Sequence, residues 1–172
     1  SGYDGIYVRQ GRSLARPLLT VVETQNTAGP AIDPMAPANS VVTAIGTERG
    51  LETTLMPARG VPVRMIPKVT MPRSGPRGWL QVPGGTWAAV RATAAVIAQD
   101  RPDVVVGFGG YVALPAYLAA RRARVPYVVH EANARPGVAN RIGARFTPFV
   151  AVSVPGTVDQ LAHAALVGIP LR

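Results

Sequence analysis

Two short clusters hold residue types that could do chemistry. The first is Gly107-Phe108-Gly109-Gly110-Tyr111, preceded by the apolar run Val104–Val106 and followed by a helix-forming segment. A strand that breaks into glycines and then starts a helix leaves backbone N–H groups at the helix N-terminus, where they can hold an anion such as a phosphate or pyrophosphate. Glycine suits the turn because the chain must bend sharply and let a ligand approach the backbone. The second cluster is His130-Glu131-Ala132-Asn133, at the end of the apolar run Val125–Val129. A carboxylate beside an imidazole can take a proton from a hydroxyl or orient it. The Asn133 amide offers a donor and an acceptor.

Positioning both clusters requires two parallel strands opening at a common edge, the place where open α/β sheets bind ligands. The rest of the chain is patterned for such a sheet. Strands are predicted at Leu18–Val22, Val41–Ile45, Val63–Ile66, Asp103–Gly107, Tyr127–His130 and Phe149–Ser153. Helices are predicted over Thr86–Gln99, with Thr86 as N-cap and Val90, Ala94 and Ile97 on the inner face, over Tyr111–Arg122, and over Pro136–Arg145. Arg49–Pro57 reads as a short helical piece, and Leu161–Ile169 as a final apolar segment. Alternating strands and helices imply an α/β, doubly wound parallel sheet with right-handed crossovers.

Composition agrees. Of 172 residues, 48% are hydrophobic and only 16% charged, which excludes a disordered chain and favours strands buried on both faces. There is no cysteine, so a disulfide framework, a thiolate metal site and a cysteine nucleophile are all excluded. The formal net charge of +9, almost all from arginine, favours anionic partners. No apolar run reaches the roughly 20 residues of a spanning helix, so membrane contact is expected to be peripheral.

Residues 1–17 read as an irregular basic arm, and 18–172 as one domain. Pro67–Gly85 is a long Pro/Gly-rich loop. It carries Arg73, Arg77, Trp79 and Leu80, with Trp87 shortly beyond. Tryptophans ringed by cations suit an anionic membrane interface, although such a loop can equally fold onto the core. Arg121, Arg122 and Arg124 fall at a predicted helix end, where cations complement the dipole.

The segment DVVVGFGGYVALPAYLAARRARVPYVVHEANARPGVANRIGARF resembles the N-terminal half of the MurG family of transferases. The resemblance extends over Ala44–Glu52, Met71–Arg73, Ser153–Gly156 and Val167–Arg172, and so over Val41–Arg172 as a whole. It implies the N-terminal, Rossmann-like half of a GT-B glycosyltransferase that moves N-acetylglucosamine from UDP-GlcNAc to lipid I, making lipid II for peptidoglycan. Such an enzyme would work peripherally at the cytoplasmic face of the cell membrane, in a process tied to cell shape and division. The sequence shows no metal-ligand cluster, and neither a cofactor nor a nucleic-acid partner is expected.

By the same resemblance Gly109, Gly110 and Tyr111 would meet the acceptor pyrophosphate. His130 and Glu131 would be the catalytic pair. Thr27, Ala28, Gly29, Asn133 and Arg172 would serve UDP-GlcNAc, and Trp79, Leu80, Trp87, Arg73 and Arg77 would form the membrane patch. The family's first glycine loop is altered here: Thr24, Gln25 and Asn26 replace glycines, and Pro30 replaces a histidine that the family uses in catalysis. Proline cannot move a proton. Glu131 is then the remaining base, and a chain without a donor-binding domain is expected to be impaired or inactive alone.

Three other readings compete. A dinucleotide-binding oxidoreductase domain would use the turn as its fingerprint and Glu131, about 20 positions on, for the ribose; but Val112 stands where its third glycine belongs. A nucleic-acid module would explain the charge, yet no recognition-helix or stacking pattern accompanies it. A non-catalytic membrane-surface protein would use the tryptophan loop alone.

Overall fold

A computed structural model describes residues 17–21, 41–47, 56–67 and 82–168. Among these, seven strands form one sheet: β1 (Pro17–Val21), β2 (Val41–Gly46), β3 (Val63–Met65), β4 (Val105–Gly107), β5 (Tyr127–Glu131), β6 (Val150–Val152) and β7 (Ala164–Leu166). Their order is β3-β2-β1-β4-β5-β6-β7, and every pairing is parallel. The chain steps outward from β1 to β3, then returns to the other side of β1 with β4. The direction of winding therefore reverses between β1 and β4, and such a switch point opens a crevice at the carboxyl ends of the two strands.

Three helices are described: α1 (Val82–Asp100), α2 (Gly110–Ala123) and α3 (Val138–Gly143). Helix α1 begins four residues before the expected N-cap, so Thr86 is helical and its hydroxyl has no hydrogen-bond partner among the described residues. Pro83 falls in the first turn, where a missing N–H costs nothing. The inner face of α1 is Ala89, Val90, Thr93 and Ile97, with Ala94 only half-buried. Asp100 at its end pairs with Arg64 of β3 at 2.8 Å, and the carboxylate holds the guanidinium pKa above its ordinary value.

The expected helix over 136–145 is shorter. It runs through α3 and tightens into a 3-10 turn at Ala144–Phe146. Two 3-10 segments were not anticipated, Pro57–Arg59 and Pro155–Gln160. Most of the piece read as helical over 49–57 lies outside the described residues, as do the arm 1–16 and the loop 68–81.

The main core lies between the sheet and α1 and α2. Val105, Val129, Val150 and Val152 come from the strands, and Val112, Ala113, Ala116, Tyr117 and Ala120 from α2. The small side chains let α2 approach the sheet closely. Arg121 and Arg122 occupy the last turn of α2, matching its dipole as expected. Arg121 also lies over the Phe146 ring, 4.0 Å from its centroid.

Candidate functional site

The register fixes the rim. Val21 of β1 pairs with Gly107 of β4, and Gly107 pairs with Val129 of β5. Residues 107–111 and 130–133 therefore leave the sheet side by side at its carboxyl edge. Phe108 and His130 confirm the proximity, with ring centroids 5.3 Å apart.

The three glycines of the turn have different physical reasons. Gly109 and Gly110 take φ values of 91° and 78°, left-handed conformations that side chains disfavour. Gly109 is the N-cap of α2, and Gly110, its first residue, is exposed. Gly107 instead makes room for packing: a Cβ there would overlap the ring of Tyr117 from α2.

Side-chain alternation sends Glu131 and His130 of β5 to opposite faces. Glu131 enters the layer under α2 and α3 and is only 1% exposed. Its Oε1 accepts from the Asn133 backbone N–H at 2.9 Å and from Asn133 Nδ2 at 2.8 Å. Its Oε2 accepts from the Gly137 N–H and from Asn140 Nδ2, both at 2.9 Å. Four donors satisfy the four strong acceptor positions of an ionised carboxylate. This is the arrangement of a loop organiser, and it leaves no exposed lone pair for a substrate proton.

His130 is 8% exposed. The Ser153 hydroxyl gives its single proton to the Gly168 carbonyl at 2.9 Å and sits 3.3 Å from His130 Nε2. Proton accounting then makes Nε2 the donor to Ser153 and leaves Nδ1 with a lone pair. Nδ1 is buried and has no hydrogen-bond partner among the described residues. Burial pushes the imidazole pKa below its ordinary value, against the opposing pull of the Gly168 carbonyl and the Glu131 charge. The ring is held neutral, with its basic nitrogen facing inward.

Asn133 is the exposed member of the cluster. With Nδ2 committed to Glu131, its Oδ1 is the group left for a ligand. Two further bonds clamp the loop: Thr157 Oγ1 donates to the Asn133 carbonyl at 3.0 Å, and Gln160 Nε2 to that of Ala134 at 3.0 Å.

One residue at the centre of this arrangement was not singled out as a site from the sequence. Asn140 of α3 is fully buried and donates through Nδ2 to Glu131 and to the His130 carbonyl, at 2.9 and 3.1 Å. It accepts from the Tyr117 hydroxyl at 2.8 Å and lies against Gly109. The available signal was a lone amide side chain in the otherwise apolar and cationic run Val138–Gly143.

The remaining expected site residues are placed as follows. Gly109, Gly110, Tyr111, His130, Glu131 and Asn133 converge on one rim. Trp87 is 56% exposed on α1. Thr27, Ala28, Gly29, Arg73, Arg77, Trp79, Leu80 and Arg172 lie outside the described residues, as does Pro30. Among the described residues no helix is long and apolar enough to cross a membrane.

The all-parallel sheet, its switch point and the glycine rim define a Rossmann-like α/β domain of the GT-B kind. Residues 35–152 match the glycosyltransferase family 28 N-terminal domain, and the chain belongs to that family. It is 53% identical over 131 residues to a Streptomyces coelicolor protein named UDP-N-acetylglucosamine–N-acetylmuramyl-(pentapeptide) pyrophosphoryl-undecaprenol N-acetylglucosamine transferase, covering 76% of this chain and 35% of that protein. A Nocardia farcinica protein of the same name is 49% identical over 162 residues, covering 91% of this chain and 40% of that protein. The chain thus spans less than half the length of these relatives. Among solved structures, Acinetobacter baumannii MurG superposes with a TM-score of 0.64 at 26% identity, over 91% of this chain and 46% of that one. A UDP-GlcNAc 2-epimerase from Methanocaldococcus jannaschii shares the fold at a TM-score of 0.59 and 17% identity, over 89% of this chain and 45% of that one.

The oxidoreductase alternative has no support in these matches. The geometry gives a reason: Glu131, which would have to bind a ribose hydroxyl, has both oxygens engaged within its own loop.

Proposed function

We propose that this chain is the acceptor-side half of an N-acetylglucosaminyltransferase that joins the sugar of UDP-GlcNAc to lipid I, giving lipid II for peptidoglycan. The observation that carries the reading is the shared rim at the switch point, where the glycine turn of α2 and the Asn133 loop stand side by side. Anionic oxygens are stabilised at a helix N-terminus by the peptide dipoles and N–H groups, so the acceptor pyrophosphate belongs at Gly109, Gly110 and Tyr111. Asn133, presenting Oδ1, is suited to a sugar hydroxyl or an acetamido N–H.

In this reading the His130–Glu131 pair has a different task from the one expected of it. Glu131 holds the loop that presents Asn133. His130 ties β5 to Ser153 and the Gly168 carbonyl. This half binds and orients; transition-state stabilisation in a cleft enzyme needs donors preorganised on all sides of the reacting centre. In this reading Thr27, Ala28, Gly29 and Arg172 serve the UDP-GlcNAc donor. Trp79, Leu80, Trp87, Arg73 and Arg77 form a peripheral patch that holds the enzyme to the cytoplasmic face of the membrane, where the lipid acceptor lies.

The test is a titration of the chain with a lipid I analogue made soluble by a short prenyl tail, followed by amide NMR. Shifts concentrated at Gly110, Tyr111 and Asn133 support the reading. Saturation with no shift at these three, or with shifts only at other surfaces, overturns it.

A further inference from the structure

We propose that Tyr117 is a positioning residue of the rim, whose hydroxyl locks the glycine turn and the 131–137 loop into one ligand surface through Asn140. The inference rests on the acceptor-side reading for its functional meaning, but its geometry stands alone. Tyr117 projects from the second turn of α2 and is 1% exposed. Its ring lies where Cβ atoms at Gly107 and Gly143 would be, so the end of β4 and the end of α3 are both shaped around it. The ring also stacks on Tyr127, with centroids 5.1 Å apart.

The hydroxyl is the informative part. A phenylalanine would fill the same space, yet this position carries an oxygen in an apolar layer, where a polar group must find partners. It donates to Asn140 Oδ1 at 2.8 Å. Gly109 lies against the same Asn140 amide, and burial drives the phenol pKa far above its ordinary value, so it stays protonated at every working pH. The phenol thus ties the second turn of α2 to Asn140, on which the N-cap of the same helix rests.

The acceptor-only groups facing it settle how the Asn140 amide is turned. Nδ2 must point to Glu131 Oε2 and the His130 carbonyl, which leaves Oδ1 to take the phenol proton. Reversing the amide would bring its oxygen against the carboxylate. Tyr117 therefore acts at one remove: it anchors Asn140, Asn140 completes the shell of Glu131, and Glu131 holds Asn133 and Gly137. The chain of contacts stays buried until it reaches Asn133 and Gly137.

The experiment compares the chain with its Tyr117→Phe variant by amide hydrogen exchange, then by titration with inorganic pyrophosphate. Losing one buried hydrogen bond corresponds to about a tenfold change in a local equilibrium. Exchange at the Asn133 and Gly137 amides, which bond to Glu131, is expected to speed up by about that factor in the variant. Exchange at the Val129 amide, bonded to the Phe149 carbonyl inside the sheet, is expected to stay as it was. Unchanged exchange at Asn133 and Gly137 would overturn the proposal. So would an equal increase at all three amides, since that marks general destabilisation. Asn140→Asp provides a second variant that keeps the acceptor for Tyr117 but loses both Nδ2 bonds, and it is expected to release the same two loop amides. If pyrophosphate fails to shift Gly110 in the unmodified chain while the exchange pattern holds, the acceptor-site reading falls and the positioning role of Tyr117 stands.

Discussion

The ring of Tyr117 occupies the volume that a side chain at Gly107 would need, so the last residue of β4 and the second turn of α2 are fitted to each other. This pairing brings the start of α2 down onto the sheet edge, with Gly109 resting on Asn140. Glycine at 107 is therefore a packing requirement, while glycine at 109 and 110 answers to backbone conformation. Three neighbouring glycines that look alike in the sequence have two separate causes.

Gly107→Ala is expected to destabilise the chain by about 1–3 kcal/mol, because the ring it would strike is wedged between two elements and cannot swing aside. Gly137→Ala is the control. That residue has φ −67°, and a Cβ there meets nothing within 4 Å. It is expected to stay within about 0.5 kcal/mol of neutral, because the gain through the unfolded state offsets the poorer N-cap. Urea denaturation of both variants checks the pair, and equal losses in the two would refute the assignment.

Glu131→Gln exchanges one acceptor oxygen for an NH2 group that faces existing N–H donors. Two of the four bonds then become donor against donor. The expected cost is about 1–3 kcal/mol for buried groups left unsatisfied. It should appear as lost order in residues 132–137 and reduced binding of the lipid I analogue. A variant with unchanged thermal stability and an unchanged loop spectrum would return Glu131 to the role of a free base.

Much of this architecture was legible because β4, α2 and β5 carry their own punctuation. Val104–Val106 ends in glycine, Tyr111–Arg122 has helical spacing, and Val125–Val129 ends in polar residues. The rim followed from those boundaries together with the rule for parallel sheets. The start of α1 was not legible, since Val82-Pro-Gly-Gly85 has loop composition and only its position in a first turn makes it helical. Tyr117 and Asn140 were hidden for another reason. An aromatic among alanines reads as core, and a single amide on a six-residue helix reads as surface. Their importance comes from meeting each other across 23 residues of sequence, a relationship that no local pattern records. Glu131 and His130 were found, but residue type alone could not tell that one carboxylate would be saturated and one imidazole turned inward.

The depressed pKa of His130 makes a prediction about acid stability. An unfolded histidine takes a proton near pH 6.5, whereas the buried ring resists it to lower pH. Between those two values the unfolded state binds more protons, so stability is full above about pH 6.5 and falls as the pH drops below it. The loss ends at the folded-state pKa. His130→Asn should flatten that part of the profile. Denaturation midpoints measured between about pH 7.5 and 5 check this, and parallel profiles for the two proteins would count against a buried neutral ring.

Trp87 supplies the last prediction. It is 56% exposed on α1 and follows Trp79, Leu80, Arg73 and Arg77 in the sequence. An indole that exposed contributes little to the core, so Trp87→Ala should change folding stability by less than about 0.5 kcal/mol. If the patch meets a membrane, the double variant Trp79→Ala/Trp87→Ala should stop sedimenting with vesicles containing anionic lipid. The unmodified chain should sediment and be released as salt is raised, because its cations attract the headgroups within a Debye length. The stability and sedimentation arms have to separate for the idea to hold. Unaltered sedimentation of a folded double variant would remove the tryptophans from the membrane contact, while a large stability loss in Trp87→Ala would place the indole in packing rather than at an interface.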